Sequence, residues 1–415
     1  MISTSLARRI LSEVDQEGIV QMSEAVISIP SPTGEELEMA RYMSSIFRAM
    51  GLFVSWQEIE EGRANVVGLL EGRGNGKSLM FNGHMDTSYS GREAHLTGIG
   101  FKTTPVVKDG VIYGLGIYNM KGALVCYTHA LKAVQAAGVR LKGDVLIAAV
   151  AGEIEKSQWG DQYRGRQYRG YGVGTHHLVN RGVIPDMCIL GEPTDMKLVL
   201  GHYGSMWVRF STRGAYMHTG FSVGRQGENS IHRMRQVLNT IVEWMPSWEE
   251  KSAYRGKRGV VNLGCLRGGH PWRASRLPER CDAFFDVRVP PTMPMAEARR
   301  EVRQLALTLR EKFPDYGIEE EIYVSAPGAE IDEDHEVVQA LDASHRDVLG
   351  QPPARDTVIW CSDASVMTRY GIPTINYGPS SGVRKSDGEK VAVRTLVDIT
   401  RVYALTIARI CEATG

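Results

Sequence analysis

A histidine and an aspartate stand two residues apart in the segment Gly-His-Met-Asp-Thr at positions 83–87. They directly follow the apolar run 78–82, which is typical of a short strand. Residues two apart on a strand point to the same side, so the Asp86 carboxylate can hold one nitrogen of the His84 ring and orient the other toward a metal ion. An isolated His-x-Asp also occurs on ordinary protein surfaces, so the pair indicates a metal site only in combination with the segments that follow.

Two carboxylates follow apolar runs in the same way. Glu153 comes after the run 143–150, and Glu192 comes after the run 187–190. Partial burial at a strand end raises the pKa of a carboxyl group, and Glu153 could then act as a general base toward a metal-bound water. A solvated acid at a strand end is the alternative for each, and the sequence leaves open whether Glu153 or Glu155 faces the site.

An asparagine lies in a glycine-rich approach to a predicted helix. Asn119 belongs to the segment 113–122, Tyr-Gly-Leu-Gly-Ile-Tyr-Asn-Met-Lys-Gly, and the helix is expected to begin near Gly122. Its position makes Asn119 a candidate site residue. Capping of the helix N-terminus by the Asn119 side chain is the competing interpretation.

The elements that must position these residues alternate between short apolar runs and helical stretches. Such alternation favours a mostly parallel sheet flanked by helices, with its chemistry at the carboxyl ends of the strands. The predicted strands are 64–70, 78–82 and 143–150, and the predicted helices are 3–27, 35–50 and 122–137. The same pattern returns near the C-terminus with a helix over 336–349, apolar runs at 357–360 and 372–377, and a helix over 392–412.

A different pattern occupies the middle of the chain. There the predicted order is strand, helix, strand, strand, helix, strand, which matches the split βαβ arrangement of an α+β module. The predicted elements are 206–212, 229–245, 260–265, 282–289, 295–312 and 318–323. We therefore expect an α/β protein of two domains, a discontinuous one over 1–203 and 325–415 and an inserted one over 204–324.

The composition limits the classes of partner. The chain has 415 residues, with 48 Lys and Arg against 48 Asp and Glu, so its formal net charge of zero gives no reason to expect nucleic acid or an anionic membrane. The longest apolar stretch, 145–151, is too short to cross a bilayer, and the first residues lack the apolar core of a secretory signal. We expect a cytoplasmic protein that acts on small molecules. Its six scattered cysteines are expected to be reduced thiols, mostly in the core.

Together these segments resemble the aminoacylase, acetylornithine deacetylase and succinyl-diaminopimelate desuccinylase family of metallopeptidases. The resemblance covers nearly the whole chain, and its motifs stand in order at 83–87, 113–122, 152–154, 191–194, 214–219, 285–288 and 362–364. It implies a zinc-peptidase-like catalytic domain with an inserted lid domain that often dimerises. It also implies hydrolysis of C–N bonds in small carboxylate-bearing substrates with one or two divalent metal ions.

The resemblance assigns a role to each matching residue. It makes His84, Asn119 and Glu192 metal ligands, Asp86 the partner that orients His84, and Glu153 the general base. His218 would be the lid histidine that stabilises the tetrahedral oxyanion, commonly in the site of a partner subunit. Substrate binding is assigned to Lys385, Arg288 and Ser275.

Three departures from the family pattern fall on one metal position. Asn119 stands where the family has an aspartate, Ile154 where it has a second carboxylate, and Lys385 where it has a C-terminal histidine. A neutral amide offers only one good acceptor oxygen for bridging two cations, isoleucine cannot bind a metal, and the lysine adds a competing positive charge. We therefore expect one divalent ion per chain, Mn²⁺ or Zn²⁺, with Lys385 free to hold a substrate anion.

The altered site indicates a specialised substrate. The segment 156–174 is rich in Arg, Tyr and Trp and could stack on an aromatic ring, although a solvated loop or a dimer contact is the alternative. Within the family, the chain resembles the hydrolytic deaminase of 5-nitroanthranilate, which implies attack of a metal-bound hydroxide on an aromatic amine. The alternatives are an N-acyl amino acid deacylase or dipeptidase, and a non-catalytic binding protein. A homodimer through the lid domain is expected.

Overall fold

The computed structural model describes residues 2–379 and 387–413, and it divides them into two compact units. Unit 1 comprises residues 1–200, 330–356 and 362–415, and unit 2 comprises residues 201–329 and 357–361. The predicted domain boundaries at 203/204 and 324/325 differ from these by a few residues. The larger difference is the short segment 357–361, which the prediction placed in the catalytic domain and which packs with unit 2.

The described residues form sixteen strands and ten α-helices. The strands are β1 Phe53–Glu60, β2 Arg63–Leu70, β3 Leu79–His84, β4 Val106–Lys108, β5 Val111–Tyr113, β6 Val145–Val150, β7 Met187–Leu190, β8 Leu198–His202, β9 Gly204–Arg213, β10 Val261–Gly268, β11 Arg280–Val289, β12 Glu319–Ala326, β13 Ala329–Glu330, β14 Arg355–Val358, β15 Thr374–Asn376 and β16 Lys390–Ala392. The helices are α1 Thr4–Ser12, α2 Gln16–Ser28, α3 Leu37–Ala49, α4 Lys121–Ala136, α5 Val173–Asn180, α6 Ser230–Lys251, α7 Met295–Lys312, α8 Glu336–Leu349, α9 Ala364–Arg369 and α10 Val393–Ile410.

The largest sheet has the order β1-β2-β6-β3-β7-β15-β8-β13, with β14 paired to β8. Its centre is parallel, because β3 pairs in parallel with both β6 and β7, and β15 pairs in parallel with β7. Antiparallel pairs flank this centre on both sides, at β1-β2-β6 and at β15-β8. The predicted α/β class is confirmed, and the sheet is mixed rather than mostly parallel.

Parallel pairing brings the ends of three strands to one edge of the sheet. In the register, His84 at the end of β3 lies opposite Val150 at the end of β6, and Asn82 lies opposite Leu190 at the end of β7. The segments that follow β6 and β7 carry Glu153 and Glu192. The three residues therefore emerge from the sheet side by side.

Helices α4 and α10 pack in the core of unit 1, and most of their residues are buried. Phe81 on β3 contacts Tyr127 on α4 and Tyr403 on α10, with ring centroids 4.8 and 5.1 Å away. The predicted helix over 3–27 is divided into α1 and α2, because the Asp15 side chain accepts the backbone N–H of Gly18 and begins a new helix.

Unit 2 contains an antiparallel sheet of order β10-β11-β9-β12, with α6 and α7 packed against one face. The order of its elements along the chain is the predicted strand, helix, strand, strand, helix, strand. Alternate residues of β9 and β11, such as Val208, Phe210 and Phe285, enter the core between sheet and helices.

Two further expectations concern membranes and thiols. Within residues 2–379 and 387–413, none of the helices combines the length and the apolar composition that crossing a membrane requires. All six cysteines are free thiols, and four of them are buried. Cys265 is exposed and Cys361 is half-buried, so the thiols lie mostly in the core, as expected.

Candidate metal and catalytic site

The imidazole of His84 is the centre of a buried polar cluster at the edge of the large sheet. Three oxygen atoms surround its Nε2 atom: Asn119 Oδ1 at 3.0 Å, Glu153 Oε2 at 3.6 Å and Glu192 Oε1 at 3.9 Å. Ligand atoms of His84, Glu153 and Glu192 all lie within 4.8 Å of one another. The structure thus brings together the three predicted metal ligands and the predicted base.

The orientation of the His84 ring is set by a main-chain group. Its Nδ1 atom lies 2.8 Å from the main-chain carbonyl oxygen of Asp86, so Nδ1 must carry the proton and donate it. The Asp86 carboxylate is farther away, at 3.5 Å. The predicted orientation of His84 by the Asp86 carboxylate is therefore corrected: the carbonyl of the same residue holds the ring.

The Asp86 carboxylate instead binds the segment that carries Glu153. It accepts the backbone N–H groups of Glu153 at 3.0 Å and Ile154 at 3.2 Å, and the hydroxyl of Thr33 at 2.9 Å. Asp86 is fully buried, so these bonds are shielded from water. Its carboxylate positions the Glu153 segment against the end of β3.

Asn119 does not cap helix α4. The N-cap residue is Met120, which makes no side-chain bond to the helix, and the Asn119 side chain contacts His84 instead. The Asn119 main chain is held from the other side by Glu389, whose Oε2 accepts the backbone N–H groups of Tyr118 and Asn119 at 3.0 and 3.1 Å. The helix-capping interpretation is therefore wrong, and Asn119 faces the cluster.

The electrostatics of the cluster favour a bound cation. Burial, together with the charges of Glu192 and Asp363, raises the pKa of Glu153 well above its ordinary value, and burial also raises the pKa of Glu192. Burial alone would lower the pKa of His84, but the Glu192 and Asp86 carboxylates outweigh it and raise the value. In their ionised forms these acids would be stabilised by a cation among them, which would offset the cost of their burial.

The donor set fits a divalent metal ion. With Nδ1 protonated, the Nε2 atom of His84 faces acceptor oxygens, a conflict that a proton or a cation at this position resolves. Glu192 Oε1 is buried and has no hydrogen-bond partner among the described residues. A neutral imidazole with carboxylate and amide oxygens suits Zn²⁺ or Mn²⁺. His84, Asn119 and Glu192 would hold the ion, with Glu153 beside it.

Sequence reasoning missed two buried acids near the cluster. Asp363 accepts the Thr175 hydroxyl at 2.5 Å, and burial raises the pKa of Asp363 to about 7. Glu389 supports Asn119 as described above, and burial raises its pKa as well. Asp363 had a signal in the Ser-Asp-Ala motif at 362–364, whereas Glu389 lies in a polar segment with no comparable pattern.

The Arg- and Tyr-rich segment 156–174 is a loop anchored to the β1-β2 hairpin. Arg169 forms an ion pair with Glu60 of β1, and the Arg166 side chain donates to the carbonyl of Glu61. The segment ends at α5, which begins at Val173. These arginines thus have structural partners, and stacking of the loop on an aromatic substrate remains a prediction.

The remaining predicted site residues are distributed differently. His218 and Ser275 are both exposed on unit 2, where the Thr219 N–H donates to the Ser275 carbonyl and the Gly220 N–H donates to His218 Nδ1. Arg288 pairs with Asp286 on the same strand at 2.8 Å. Lys385 lies outside the described residues. Of the two glutamates between which the sequence left the choice open, Glu153 contributes a ligand atom to the cluster and Glu155 is not in that group.

The sequence matches a family profile over residues 80–409, described as peptidase family M20/M25/M40. It is similar to N-formyl-4-amino-5-aminomethyl-2-methylpyrimidine deformylase of Bacillus subtilis, with 26% identity and 96% of each chain covered. It is also similar to succinyl-diaminopimelate desuccinylase of Alkalilimnicola ehrlichii, with 24% identity and 94% of this chain and 98% of the relative covered. An acetylornithine deacetylase of Klebsiella pneumoniae is 26% identical over 87% of this chain and 89% of the relative.

Solved structures share the fold. The aminopeptidase PepT from Bacillus cereus superposes with a TM-score of 0.74 at 19% identity, covering 96% of this chain and 99% of that one. Human carnosine dipeptidase 1 superposes with a TM-score of 0.74 at 14% identity, covering 98% of this chain and 99% of that one. These likenesses support the architecture described above.

Proposed function

The chain belongs to peptidase family M20/M25/M40, and we propose that it cleaves the C–N bond of a small N-acylated substrate with a single divalent cation. At the level of the family it is a metal-dependent hydrolase of C–N bonds. The observation that carries the proposal is the cluster in which His84, Glu153 and Glu192 bring their ligand atoms within 4.8 Å of one another. A non-catalytic binding protein has no need of a buried base in such a cluster.

The single-cation proposal rests on what stands beside this cluster. Ile154 follows Glu153 at the position where the resemblance expects a second carboxylate, and its backbone N–H is bonded to Asp86. Asn119 presents one amide oxygen, which contacts His84 Nε2 at 3.0 Å. The cluster thus offers a neutral amide and an apolar side chain where a second cation would need anionic ligands.

The residues of the cluster divide the work of hydrolysis. A divalent cation held by His84, Asn119 and Glu192 would lower the pKa of a water molecule and polarise the substrate carbonyl. Glu153, whose pKa is raised by burial, accepts the proton of the attacking water and delivers it to the departing nitrogen. Asp86 holds the Glu153 segment through two backbone N–H groups and keeps the base in place.

An amide is the proposed substrate bond. The names of the similar proteins describe a deformylase, a desuccinylase and a deacetylase, all of which remove an acyl group from nitrogen. They give no support to hydrolytic deamination of 5-nitroanthranilate. We include that reaction as the competing outcome of the substrate test below, because a site with one cation could also catalyse it.

A homodimer through unit 2 is the proposed assembly. Strand β10 lies at the edge of the unit 2 sheet, and its residues are mostly exposed. Leu263 and Leu266 on this strand are 40% and 50% exposed. A strand at the edge of a sheet that exposes apolar side chains is a template for a second copy. Light scattering after size exclusion should give twice the mass of 45.9 kDa.

Metal content and a substrate panel test the proposed function. The protein, purified without chelators, should carry one ion per chain by elemental mass spectrometry, and two tightly held ions would overturn the single-cation proposal. The panel compares N-formyl and N-acetyl amides of aromatic and aliphatic amines with 5-nitroanthranilate. Release of nitrogen from the aminobenzoate without cleavage of any amide would contradict amide hydrolysis.

A matched pair of variants tests the base. Glu153→Gln should keep the metal ion and lower turnover by ~10²-fold or more, the range for a general acid–base group. Glu155→Gln is the control, because Glu155 lies two residues on and outside the cluster of ligand atoms. Near wild-type activity in Glu153→Gln, or an equal loss in both variants, would mean that Glu153 is not the base.

A further inference from the structure

We propose that Tyr127 is a positioning residue for the metal site, because its hydroxyl sets the distance between the strand ends that carry His84 and Glu192. The inference rests on the proposed function, since it concerns the cation that those two residues would hold. Tyr127 lies on α4 and is completely buried. It belongs to unit 1, as do both ligands.

The strand pairing stops two residues short of each ligand. Asn82 of β3 and Leu190 of β7 are the last residues that these two strands pair. His84 and Glu192 each lie two residues farther along the chain. Leu190 is also the last residue of β7 that pairs with β15, so Glu192 lies beyond the strand pairing on both sides. Groups outside the sheet must therefore fix its distance from His84.

The Tyr127 hydroxyl bridges the two strands where their pairing ends. It donates to the main-chain carbonyl oxygen of Asn82 at 3.0 Å, and it accepts a hydrogen bond from the backbone N–H of Gly191. Burial raises the pKa of Tyr127 well above its ordinary value, so the hydroxyl keeps the proton that it donates. One oxygen atom thus connects a residue two before His84 with the residue directly before Glu192.

Close packing against Tyr127 restricts the segments that carry both ligands. Gly191 approaches α4 so closely that a β-carbon there would lie 2.3 Å from the Tyr127 hydroxyl oxygen. Gly83 lies against the edge of the ring, where a β-carbon would be 3.2 Å from Tyr127 Cε2. These glycines directly precede Glu192 and His84, so a change at Tyr127 reaches both ligands through the adjacent main chain.

The ring of Tyr127 is held independently of its hydroxyl. It packs against Phe81 of β3 and Tyr403 of α10, with ring centroids 4.8 and 5.2 Å away. Tyr127→Phe keeps these ring contacts and removes only the bridging oxygen. The substitution therefore isolates the contribution of the hydroxyl from that of the buried aromatic ring.

Loss of the bridge should change the geometry of the ligands. The Asn82 carbonyl and the Gly191 N–H would both lose this buried partner, and the two strand ends would then approach each other or separate. His84 Nε2 and Glu192 Oε1, which lie 3.9 Å apart, would move with them. Groups that orient metal ligands typically contribute ~10–100-fold to metal affinity.

The metal affinity of the apoprotein tests the inference without a measurement of activity. Titrated with Zn²⁺ in competition with a chromogenic chelator, Tyr127→Phe should bind ~10-fold or more weakly than the wild type. The absorption spectrum of its Co²⁺ form should also change, because the ligands are arranged differently around the ion.

Tyr203→Phe is the matched control. It removes a buried tyrosine hydroxyl that donates to the carbonyl of Ser252 at 2.7 Å in unit 2. Both variants lose the same kind of hydrogen bond, so the melting temperatures of both apoproteins should fall by similar amounts. Only Tyr127→Phe should change the Kd for Zn²⁺ and the Co²⁺ spectrum.

A second pair of variants tests the bridge from the side of β7. Gly191→Ala places a β-carbon against the Tyr127 hydroxyl and should also weaken Zn²⁺ binding. Its control is Gly201→Ala, because a β-carbon at Gly201 would lie 2.8 Å from the Tyr254 hydroxyl oxygen in unit 2. Circular dichroism checks folding, and this pair keeps the inference testable if Tyr127→Phe does not fold.

The double variant Tyr127→Phe with Gly191→Ala tests whether the two residues act through one bridge. It should lose less Zn²⁺ affinity than the product of the two single losses, because each change disrupts the same contact. Losses that multiply would mean that the two residues act independently, which would overturn the bridge.

The outcomes distinguish this inference from the proposed function. An unchanged Kd in Tyr127→Phe, or an equal loss in Tyr203→Phe, would overturn the role of Tyr127 even if amides are cleaved. A loss of affinity confined to Tyr127→Phe in a protein that cleaves no amide would sustain the role of Tyr127 and contradict the proposed reaction. A wild-type protein that binds neither Zn²⁺ nor Mn²⁺ would overturn both.

Discussion

Replacement of Arg63 by methionine should both destabilise unit 1 and displace Glu153, the proposed catalytic base. Arg63 and Glu36 form an ion pair at 2.8 Å in which both side chains are completely buried. The Arg63 guanidinium also donates to Glu60 at 2.9 Å and to the carbonyl of Arg169 at 2.9 Å. One buried arginine thus connects α3, the β1-β2 hairpin and the loop 156–174.

The expected loss of stability in Arg63→Met follows from the Glu36 carboxylate, which would be left buried without its partner. Burial and the Asp86 charge already raise the pKa of Glu36, so without Arg63 its carboxylate has little compensation. Removing one partner of a buried pair costs ~3–5 kcal/mol in the free energy of unfolding. The double variant Arg63→Met with Glu36→Gln should lose less than the sum of the two single changes, because it leaves no unpaired charge.

The same substitution affects the Glu153 segment through a backbone contact. Gly152 precedes Glu153 with φ of +68°, and a β-carbon built on it would lie 2.3 Å from a guanidinium nitrogen of Arg63. Arg63 therefore forms the surface on which the Glu153 segment turns. Misplacement of a catalytic group by ~1 Å can cost up to ~10²-fold in rate, so kcat should fall with little change in metal content.

Urea unfolding and steady-state kinetics check this prediction. The control is Arg41→Met, which breaks a pair with Glu38 in which both side chains are more than half exposed and should cost less than ~1 kcal/mol. A loss below ~1 kcal/mol in Arg63→Met, or a loss equal to that of the control, would refute the reasoning. Wild-type kcat in a destabilised variant would refute only the effect on Glu153.

Three further expectations follow from the site and from unit 2. Removal of the ion by a chelator should abolish activity and lower the free energy of unfolding. The loss should be ~4 kcal/mol if the free metal concentration had exceeded its Kd a thousandfold. An unchanged melting curve would argue against a resident ion. The combined change Asn119→Asp, Ile154→Glu and Lys385→His should raise the metal content from one ion to two, measured by elemental mass spectrometry. Burial lowers the pKa of His202 to about 4, below its unfolded value near 6.5, so the unfolded state takes up a proton first as the pH falls. Between pH 7.5 and pH 5 the free energy of unfolding of the wild type should therefore fall by about 2 kcal/mol more than that of His202→Gln. An equal change in wild type and variant, measured by urea unfolding at the two pH values, would contradict the neutral imidazole.

Local patterns in the sequence predicted most of the elements. The helices 295–312 and 336–349 and the strand 187–190 have the predicted bounds, because amphipathic periodicity and continuous apolar runs are properties of neighbouring residues. Strand β1, Phe53–Glu60, was not predicted, since its mixed polar sequence shows no apolar run and its burial is largely partial. Its place in the sheet comes from pairing with β2.

The core of the candidate site could also be predicted from the sequence. His84, Glu153 and Glu192 each follow an apolar run, and parallel strands present their carboxyl ends at one edge, so the three residues had to meet if the strands paired. The amide of Asn119 could not be assigned in this way. Its approach to His84 depends on the path of the loop before α4, which Glu389 fixes from a distant part of the chain.

Only the tertiary structure decided how the site is supported. Arg63 with Glu36, the Asp86 carboxylate on the Glu153 segment, and Asp363 with Thr175 join residues that are 27, 67 and 188 positions apart. No local pattern encodes such pairs, because each polar group alone resembles a surface residue. They become partners only when the sheet register and the packing of the loops exclude water, because each buried polar group must then bind another group of the protein.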